Sequence, residues 1–188
     1  MGAHIGPRRA HTTGRTHSLA FRAATALFGH LGVDWDLTRL DERELGQLAE
    51  AIALHRRFRP LLHGGDTVRF DVDEPFLAHG VYSLDRSEAL VAFVQLASAP
   101  SLTSPMVRLP GLGPERRYCV EHVPLPGERW GVAYRQPAWL ADGVELTGAQ
   151  LAAVGVRPPT LHPESAVLLH VSTASSRAPS PNLPRTLR

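Results

Sequence analysis

The chain has 188 residues, of which 43% are hydrophobic and 20% are charged, so it has the size and composition of one ordinary domain or two small ones, and wholesale disorder is excluded. All 20 basic residues are arginines, and they face 18 acidic residues for a net charge of +2, which gives little reason to expect a nucleic-acid partner. The single cysteine, Cys119, excludes an internal disulfide and a cysteine-based zinc cluster. No stretch approaches the roughly 18 apolar residues of a membrane helix, and the N-terminus lacks the apolar core of a secretory signal. We therefore expect a cytoplasmic protein that does not act at a membrane.

The first third of the chain has the pattern of alternating strands and helices. Residues 2–5 predict a short strand, and residues 6–17, which include no large apolar side chain, predict a loop. Apolar residues at helical spacing predict a helix over residues 18–28. Alternation of apolar and acidic residues then predicts a strand over 31–37. A capping signal at residue 38 predicts a second, longer helix that ends at Pro60.

After residue 65 the helical period disappears and short strands follow one another. They are predicted over residues 67–72, 76–82, 89–96, 106–109, 117–123 and 167–171. Turn clusters between them suit an antiparallel β-sandwich. Thr147 and Gln150 form a capping box that predicts one short helix. The domains predicted are residues 1–64, residues 65–172, and a disordered tail over 173–188 that is rich in Ser, Pro and Arg.

One long stretch resembles a known family. Residues 1–37, MGAHIGPRRAHTTGRTHSLAFRAATALFGHLGVDWDL, resemble the end of the catalytic barrel of bacterial α-galactosidases of glycoside hydrolase family 36. The similarity continues through RFRPLLHGGDTVRFD, DRSEALVAFVQL, VRLPGL, WLADGVELTGAQL and HPESAVLLHV. The resemblance implies an α/β plus all-β fold. Its first part is the last two βα units of an incomplete (β/α)8 barrel, with residues 2–5 and 33–37 as strands seven and eight. An antiparallel β-sandwich domain follows.

The resemblance also implies a function. Enzymes of this family hydrolyse terminal α-D-galactosyl residues with retention, using two aspartates that lie in motifs on earlier barrel strands, and neither motif is in this sequence. A complete barrel takes about 250 residues. We therefore expect a C-terminal fragment, from a truncated or split gene or a misplaced start codon. We expect it to be inactive alone, to need no cofactor, and to meet an α-galactoside only in a complete barrel. An upstream barrel fragment or further copies of this chain are the possible partners. The alternative is a non-catalytic β-sandwich module for carbohydrate binding or oligomerisation.

Three residues are candidates for the rim of the substrate site. His4, in the family's GAH pattern, and His11 and Arg15, in its HTTGR pattern, lie at or after the first strand. Loops that follow barrel strands form the active-site face, and arginine and histidine can donate hydrogen bonds to sugar hydroxyls. The alternative is that these side chains bind backbone at the barrel rim. At position 34, where relatives commonly carry glutamate, this chain has aspartate.

Other possible sites receive less support. Asp34 and Asp36 are two residues apart on one predicted strand, so they lie on one side of any substrate. Opposed acid and base roles are therefore hard to arrange, and we expect capping or polar roles for both. His11 with His17, and Cys119 with His122, lack the second pair of ligands that a zinc site needs, and no metal is expected. The arginines of residues 6–17 have no aromatic side chain between them, which disfavours nucleic acid.

The three tryptophans have two possible roles. Trp35, Trp130 and Trp139 could stack on sugar rings or pack in cores and between domains. Trp35 alternates with acidic residues on a predicted strand, and we expect packing for all three.

Overall fold

The structure, a computed structural model, describes residues 1–128 and 136–173. The first part of the chain folds in the predicted order of strand, loop, helix, strand and helix. Its elements are β1 (Gly2–Ile5), α1 (Leu19–Leu27), β2 (His30–Val33), a 3-10 turn (Leu37–Arg39) and α2 (Glu42–Gly64). Strands β1 and β2 pair in parallel, with Ile5 opposite Val33.

Strand β2 differs from its prediction. It ends at Val33, so residues 34–37 are not the predicted strand. The Asp36 carboxylate accepts hydrogen bonds from the Thr38 amide, at 3.1 Å, and from the Thr38 hydroxyl, at 2.6 Å. These bonds cap the 3-10 turn, and this local alternative outweighs the extended conformation that the alternating pattern favoured.

Helix α2 differs from its prediction at both ends. Its capping box is formed by Asp41 and Glu44 rather than by Thr38 and Asp41. The helix also continues through Pro60 to Gly64. Proline lacks the amide that bonds to the preceding turn. Leu61 and Leu62 beyond it are buried against the sheet, and this packing holds the last turn in place.

The second part of the chain forms one six-stranded antiparallel sheet with the order β3-β4-β5-β8-β6-β7. The strands are β3 (Asp66–Phe70), β4 (Phe76–Tyr82), β5 (Glu88–Gln95), β6 (Arg117–Val123), β7 (Val144–Thr147) and β8 (Ser165–Thr173). Two short helices, α3 (Trp139–Asp142) and α4 (Gly148–Ala153), flank β7.

Several details of this region correct the sequence-based predictions. In residues 1–128 and 136–173 the antiparallel strands form this single sheet, so the two packed sheets of a sandwich are not found there. The predicted strand over 106–109 is a single bridge between Val107 and Val156. Strand β7 and helix α3 were not predicted. Helix α4 begins at the predicted capping box of Thr147 and Gln150, which is confirmed.

A sandwich is unnecessary because both faces of the sheet are covered in another way. Along β5, Leu90 and Ala92 point toward α1 and α2, whereas Ala89, Val91 and Phe93 point to the opposite face. The core on that opposite face is completed by side chains from the loops and from α4, namely Val107, Leu109, Leu112, Leu151, Val156 and Leu161. The nearly continuous apolar run of β5 therefore reflects a central strand buried on both faces, as predicted.

Helices α1 and α2 form the layer between the two sheets. One side of this layer packs on the six-stranded sheet through Ala24, Leu27, Phe58 and Leu61. The other side packs on the β1–β2 pair in a cluster formed by Ile5, Leu19, Ala23, Ala26, Leu48 and Ala51. The β1–β2 pair thus has one covered face. Its opposite face carries the exposed residues His4 and His30.

Two expectations concern other parts of the chain. Of the predicted disordered tail, residues 174–188 lie outside the described residues, and Thr173 ends β8. In residues 1–128 and 136–173 no helix has both the length and the apolar character needed to cross a membrane. A cytoplasmic location stays a prediction.

Candidate functional site

The loop over residues 6–17 is closed by its own backbone. Arg9 and Thr16 form an antiparallel bridge, and the Ala10 amide donates to the Arg15 carbonyl at 2.9 Å. Gly14 turns the chain with a φ of +69°, a conformation that side-chain-bearing residues rarely adopt. The TTG part of the HTTGR pattern therefore builds a tight turn, which presents its neighbours at the tip of the loop.

The three predicted rim residues lie apart from one another. His4 lies on the open face of β1, with its ring over Gly32 of the neighbouring strand; a methyl group on Gly32 would come within 2.5 Å of the His4 Cδ2 atom. His11 is exposed in the loop. Arg15 approaches the other part of the molecule, where its Nη1 lies 3.6 Å from Glu164 Oε1. All three lie in the described part of the chain, and no hydrogen bond or ion pair there joins any two of them.

Glu164, in the segment that precedes β8, lies close to two residues of the loop. Besides Arg15, its Oε1 lies 3.5 Å from the His17 Nε2 atom. The Arg15 side chain is 69% exposed, so this ion pair contributes little to stability. Sequence reasoning missed Glu164, since about 150 positions separate it from the loop and no local pattern connects them. Arg15 therefore has a structural contact that its motif did not indicate.

A polar cleft opens beside this loop. It is bounded by the loop, the N-terminal ends of α1 and α2, and the turn that follows β6, and its volume is about 390 Å³. Its lining residues are Arg8, Thr16, His17, Ser18, Leu19, Arg22, Trp35, Arg43, Glu44, Gln47, Gly127 and Glu128. None of the three predicted rim residues is among them.

Arg22 is the most constrained cation of this cleft. Its guanidinium lies 4.6 Å from the centre of the Trp35 ring and donates to the Gly6 carbonyl, and its Nε donates to the Ser18 carbonyl at 3.3 Å. Burial lowers the pKa of Arg22, the positive charge of Arg8 lowers it further, and the negative charge of Glu44 opposes both. Trp35 is partly buried against the helix cluster, so the expectation of packing for this residue is confirmed.

A buried acid and histidine lie on the sheet side of the cleft. Glu128 Oε2 lies 2.9 Å from His122 Nε2, and each side chain is only 10% exposed. The same oxygen accepts from the Leu125 amide at 3.4 Å. Glu128 Oε1 is buried without a hydrogen-bond partner among the described residues. A buried pair of this kind fixes the turn after β6, since removing one partner would leave the other uncompensated.

The remaining sequence-based candidates have structural roles. Asp36 caps the 3-10 turn, which confirms the capping role expected for it. Its Oδ2 atom also lies 3.0 Å from Arg39 Nε. Trp139 packs against the sheet core and donates from Nε1 to the Arg157 carbonyl at 3.0 Å. Trp130 lies outside the described residues.

The pairs weighed as metal ligands are not brought together into a larger group. Within the described ranges, no group of three or more His, Cys, Asp or Glu side chains is arranged to hold a metal ion. Cys119 is buried in β6, and His122 bonds to Glu128.

Two family models match the chain in sequence. Residues 1–65 match the model described as Melibiase, and residues 77–173 match the model described as Glycosyl hydrolase family 36 C-terminal domain. The α-galactosidase of Escherichia coli is 41% identical over 181 residues, covering 93% of this chain and 25% of that protein. AgaA of Geobacillus stearothermophilus, also an α-galactosidase, is 32% identical over 131 residues, covering 68% of this chain and 18% of that protein.

Solved structures agree with this placement. The α-galactosidase from Lactobacillus brevis superposes with a TM-score of 0.77 at 25% identity, covering 97% of this chain and 23% of that one. The galactosidase domain of the α-galactosidase-sucrose kinase AgaSK superposes with a TM-score of 0.75 at 26% identity, covering 92% of this chain and 22% of that one. The chain therefore spans about a quarter of the length of the relatives it matches.

Proposed function

Because this chain belongs to glycosyl hydrolase family 36, we propose that it supplies the C-terminal part of a retaining α-galactosidase, which hydrolyses terminal α-D-galactosyl residues. The observation that carries the proposal is the order of the two family matches along the chain, with residues 1–65 followed by residues 77–173. The structure has the same order, since the strands and helices from β1 to α2 come first and the six-stranded sheet follows. The identity of 41% to the E. coli α-galactosidase supports the same conclusion.

We propose that β1, α1, β2 and α2 are the last two βα units of a (β/α)8 barrel, within a first domain over residues 1–64. The parallel pairing of β1 with β2, and the helices packed on one face, support this assignment. In a closed barrel every strand has a neighbour on each side. In the described residues β1 and β2 pair only with each other, which leaves two strand edges for barrel units from outside this chain. The second domain would then be residues 65–172.

The acids within this chain support the view that catalysis needs residues from elsewhere. A retaining glycosidase uses two carboxyl groups about 5–5.5 Å apart on opposite sides of the scissile bond. Asp36 is committed to Thr38 and Arg39, and Asp34 lies two positions earlier on the same segment. We propose that the nucleophile and the general acid/base belong to earlier barrel strands, and that this chain alone is inactive.

His4, His11 and Arg15 are proposed as rim residues in the complete barrel. His4 has the best support, since its ring lies on the open face of β1, next to a glycine that leaves it room. Arg15 has the least, because its guanidinium faces Glu164. The substrate, an α-galactoside, would be bound only once the barrel is complete. The partner that completes it would be an upstream fragment, with assembly of several copies as a further possibility.

A second candidate function is a non-catalytic module that binds carbohydrate or mediates oligomerisation. The observation that favours it is the core on the sheet face away from the helices, which is filled from within residues 70–171. A domain with its own core can act without the rest of the barrel.

A chimera distinguishes the two functions. The quarter of the E. coli α-galactosidase that this chain matches would be replaced by this chain, and hydrolysis of an aryl α-galactoside would be measured for the chimera and for the chain alone. We expect turnover by the chimera and none by the chain. Turnover by the purified chain, or a folded chimera without activity, would overturn the proposal. Binding of galactosides to the chain in calorimetry, together with an inactive chimera, would favour the module.

The same chimera tests the rim assignment. His4→Ala is expected to lower kcat/KM by about tenfold or more, the effect of losing roughly 1.4 kcal/mol of transition-state binding. His30→Ala is the matched control. It shares the strand face of His4 but lies opposite Gly2, at the end of the strands away from the active-site face. Its ring also stacks on that of His63 at 4.5 Å between centres, so the stability of both variants is measured alongside activity. Equal effects of the two substitutions would contradict the assignment of His4.

A further inference from the structure

The cleft beside the loop combines three cations from three different elements. Arg8 comes from the loop, Arg22 from α1 and Arg43 from α2; we name this site the arginine cleft. No Asp or Glu oxygen of the described residues lies within 4.0 Å of these guanidiniums. The two carboxylates that line the cleft are engaged elsewhere, Glu44 in the capping box of α2 and Glu128 with His122. The three arginines outnumber these two carboxylates, so the lining of the cleft carries an excess of positive charge.

The position of Arg43 costs helix stability. It is the second residue of α2, in the turn where the helix dipole favours acids and disfavours cations. The N-terminal end of α1 also borders the cleft, with Ser18 as its cap. Both helix ends therefore add partial positive charge to the charge of the three arginines.

The position of Arg22 is fixed before any ligand arrives. Its guanidinium is held between the Trp35 ring and the Gly6 carbonyl, so little side-chain entropy remains to be lost on binding. Burial lowers the pKa of Arg22, Glu44 raises it in part and Arg8 lowers it further, and the net lowering means that the charged form is destabilised where it lies. An anion in the cleft would reverse that effect.

We propose that the arginine cleft binds a small polar molecule through a phosphate, sulfate or carboxylate group. The inference rests on the charges and contacts of the cleft, and only the choice of galactose-based probes is taken from the proposed function. Arginine is suited to these oxyanions, since its planar guanidinium donates two parallel hydrogen bonds. A volume of about 390 Å³ exceeds what a bare oxyanion fills and lies in the range of small-molecule sites. Gln47, Ser18 and Thr16 supply hydrogen bonds for a polar body of the size of a sugar.

Titrations of the full chain at constant ionic strength test this proposal, with inorganic phosphate, galactose 6-phosphate, galacturonate and galactose as the four probes. The three anions are expected to bind, and galactose is not. The double variant Arg8→Gln/Arg43→Gln is expected to weaken anion binding by about tenfold or more, since each lost hydrogen bond joined two charged groups. Arg56→Gln, an exposed arginine on α2 outside the cleft, is the matched control and should leave binding unchanged.

The comparison of probes also identifies the source of the anion. Tighter binding of galactose 6-phosphate than of phosphate supports an anionic sugar, and equal binding supports the oxyanion as a free ion. Absence of binding by all three anions would overturn the proposal. So would galactose binding as tightly as the anions, or a loss in Arg56→Gln equal to that of the double variant.

Urea unfolding gives a second readout that needs no labelled ligand. A ligand that binds only the folded state raises the unfolding midpoint. The midpoint of the wild-type chain is expected to be higher in sodium phosphate than in sodium chloride of equal ionic strength, and that difference should vanish in the double variant. In chloride alone, Arg43→Gln should keep or raise the midpoint, because the cation was disfavoured in that turn. A phosphate effect that persists in the double variant would contradict the site.

Discussion

The two parts of this molecule bury their strands in different ways. In the sheet region, residues 66–173, the central strands β5 and β8 are packed on both faces, and Leu90 and Val91 are each 0% exposed. In the strand-helix region, residues 1–64, Ile5 is the one fully buried residue of β1 and β2, and the face with His4 is open. The sheet face with Val91 is covered from within the sheet region and the face with Leu90 is covered by α1 and α2, whereas the β1–β2 pair is covered on one face only. This difference predicts how each region responds to substitution.

The largest effect is expected in the core of the sheet. Phe93 is fully buried and stacks on Phe76 at 5.2 Å between ring centres. Phe93→Ala should lower the free energy of unfolding by about 3–5 kcal/mol, since it removes a large apolar side chain and leaves a cavity. Urea unfolding followed by circular dichroism measures this loss. Leu84→Ala, at an exposed site, is the control and should be nearly neutral. Equal effects of the two would refute the two-sided burial of β5.

A smaller and local effect is expected where the helices meet the sheet. Leu27 of α1 is buried in the cluster that joins α1 and α2 to β4, β5 and β8. Leu27→Ala should cost about 2–5 kcal/mol. The loss should appear in hydrogen exchange as faster exchange in residues 1–64, with β5 and β8 little changed. Leu45→Ala, at an exposed position on α2, serves as the control. Faster exchange throughout both regions would mean that they unfold as one unit.

The two capping boxes allow the same substitution to be compared in both regions. Asp41 accepts from the Glu44 amide at 2.7 Å, and Thr147 accepts from the Gln150 amide at 3.2 Å. Asp41→Ala and Thr147→Ala should each cost about 0.5–2 kcal/mol. Exchange should rise at the start of α2 in the first variant and at the start of α4 in the second. Asp41→Asn and Thr147→Ser, which keep an acceptor, should recover most of the loss.

The smallest effect is a dependence of stability on pH. Burial lowers the pKa of His79, whose ring lies 4.6 Å from that of Phe28. Below pH 6.5, the ordinary pKa of histidine, His79 therefore binds more protons in the unfolded chain than in the folded chain. The free energy of unfolding falls as the pH drops below that value. His79→Gln should flatten this part of the profile in urea unfolding at pH 5 to 8. A profile identical to that of the wild type would show that other groups control it.

Much of the fold was predictable because local patterns and packing agree. Strands β4 and β6 were predicted with the correct ends, and the box at Thr147 marked α4. The errors lie where packing or a side-chain bond outweighs the pattern. Helix α2 continues past Pro60 because the residues that follow it are buried. Asp36 caps a 3-10 turn where the alternating pattern predicted a strand.

The candidate site was less predictable than the fold. The loop and its exposed residues followed from composition, but the contact of Arg15 with Glu164 and the meeting of Arg8, Arg22 and Arg43 arise from folding alone. Glu128, which is also part of the cleft, is about 120 positions away from Arg8 along the chain, and neither has a local signal that points to the other.

Hydrogen exchange of β1 and β2, compared between the chain alone and the chimera with the E. coli α-galactosidase, tests the central claim most directly. The amides of β1 and β2 should exchange faster than those of β5 and β8 in the chain alone, and they should become strongly protected in the chimera, where new strands pair with both edges. Protection of β1 and β2 equal to that of β5 and β8 in the chain alone, with no gain in the chimera, would contradict the claim that the strand-helix region needs the rest of a barrel.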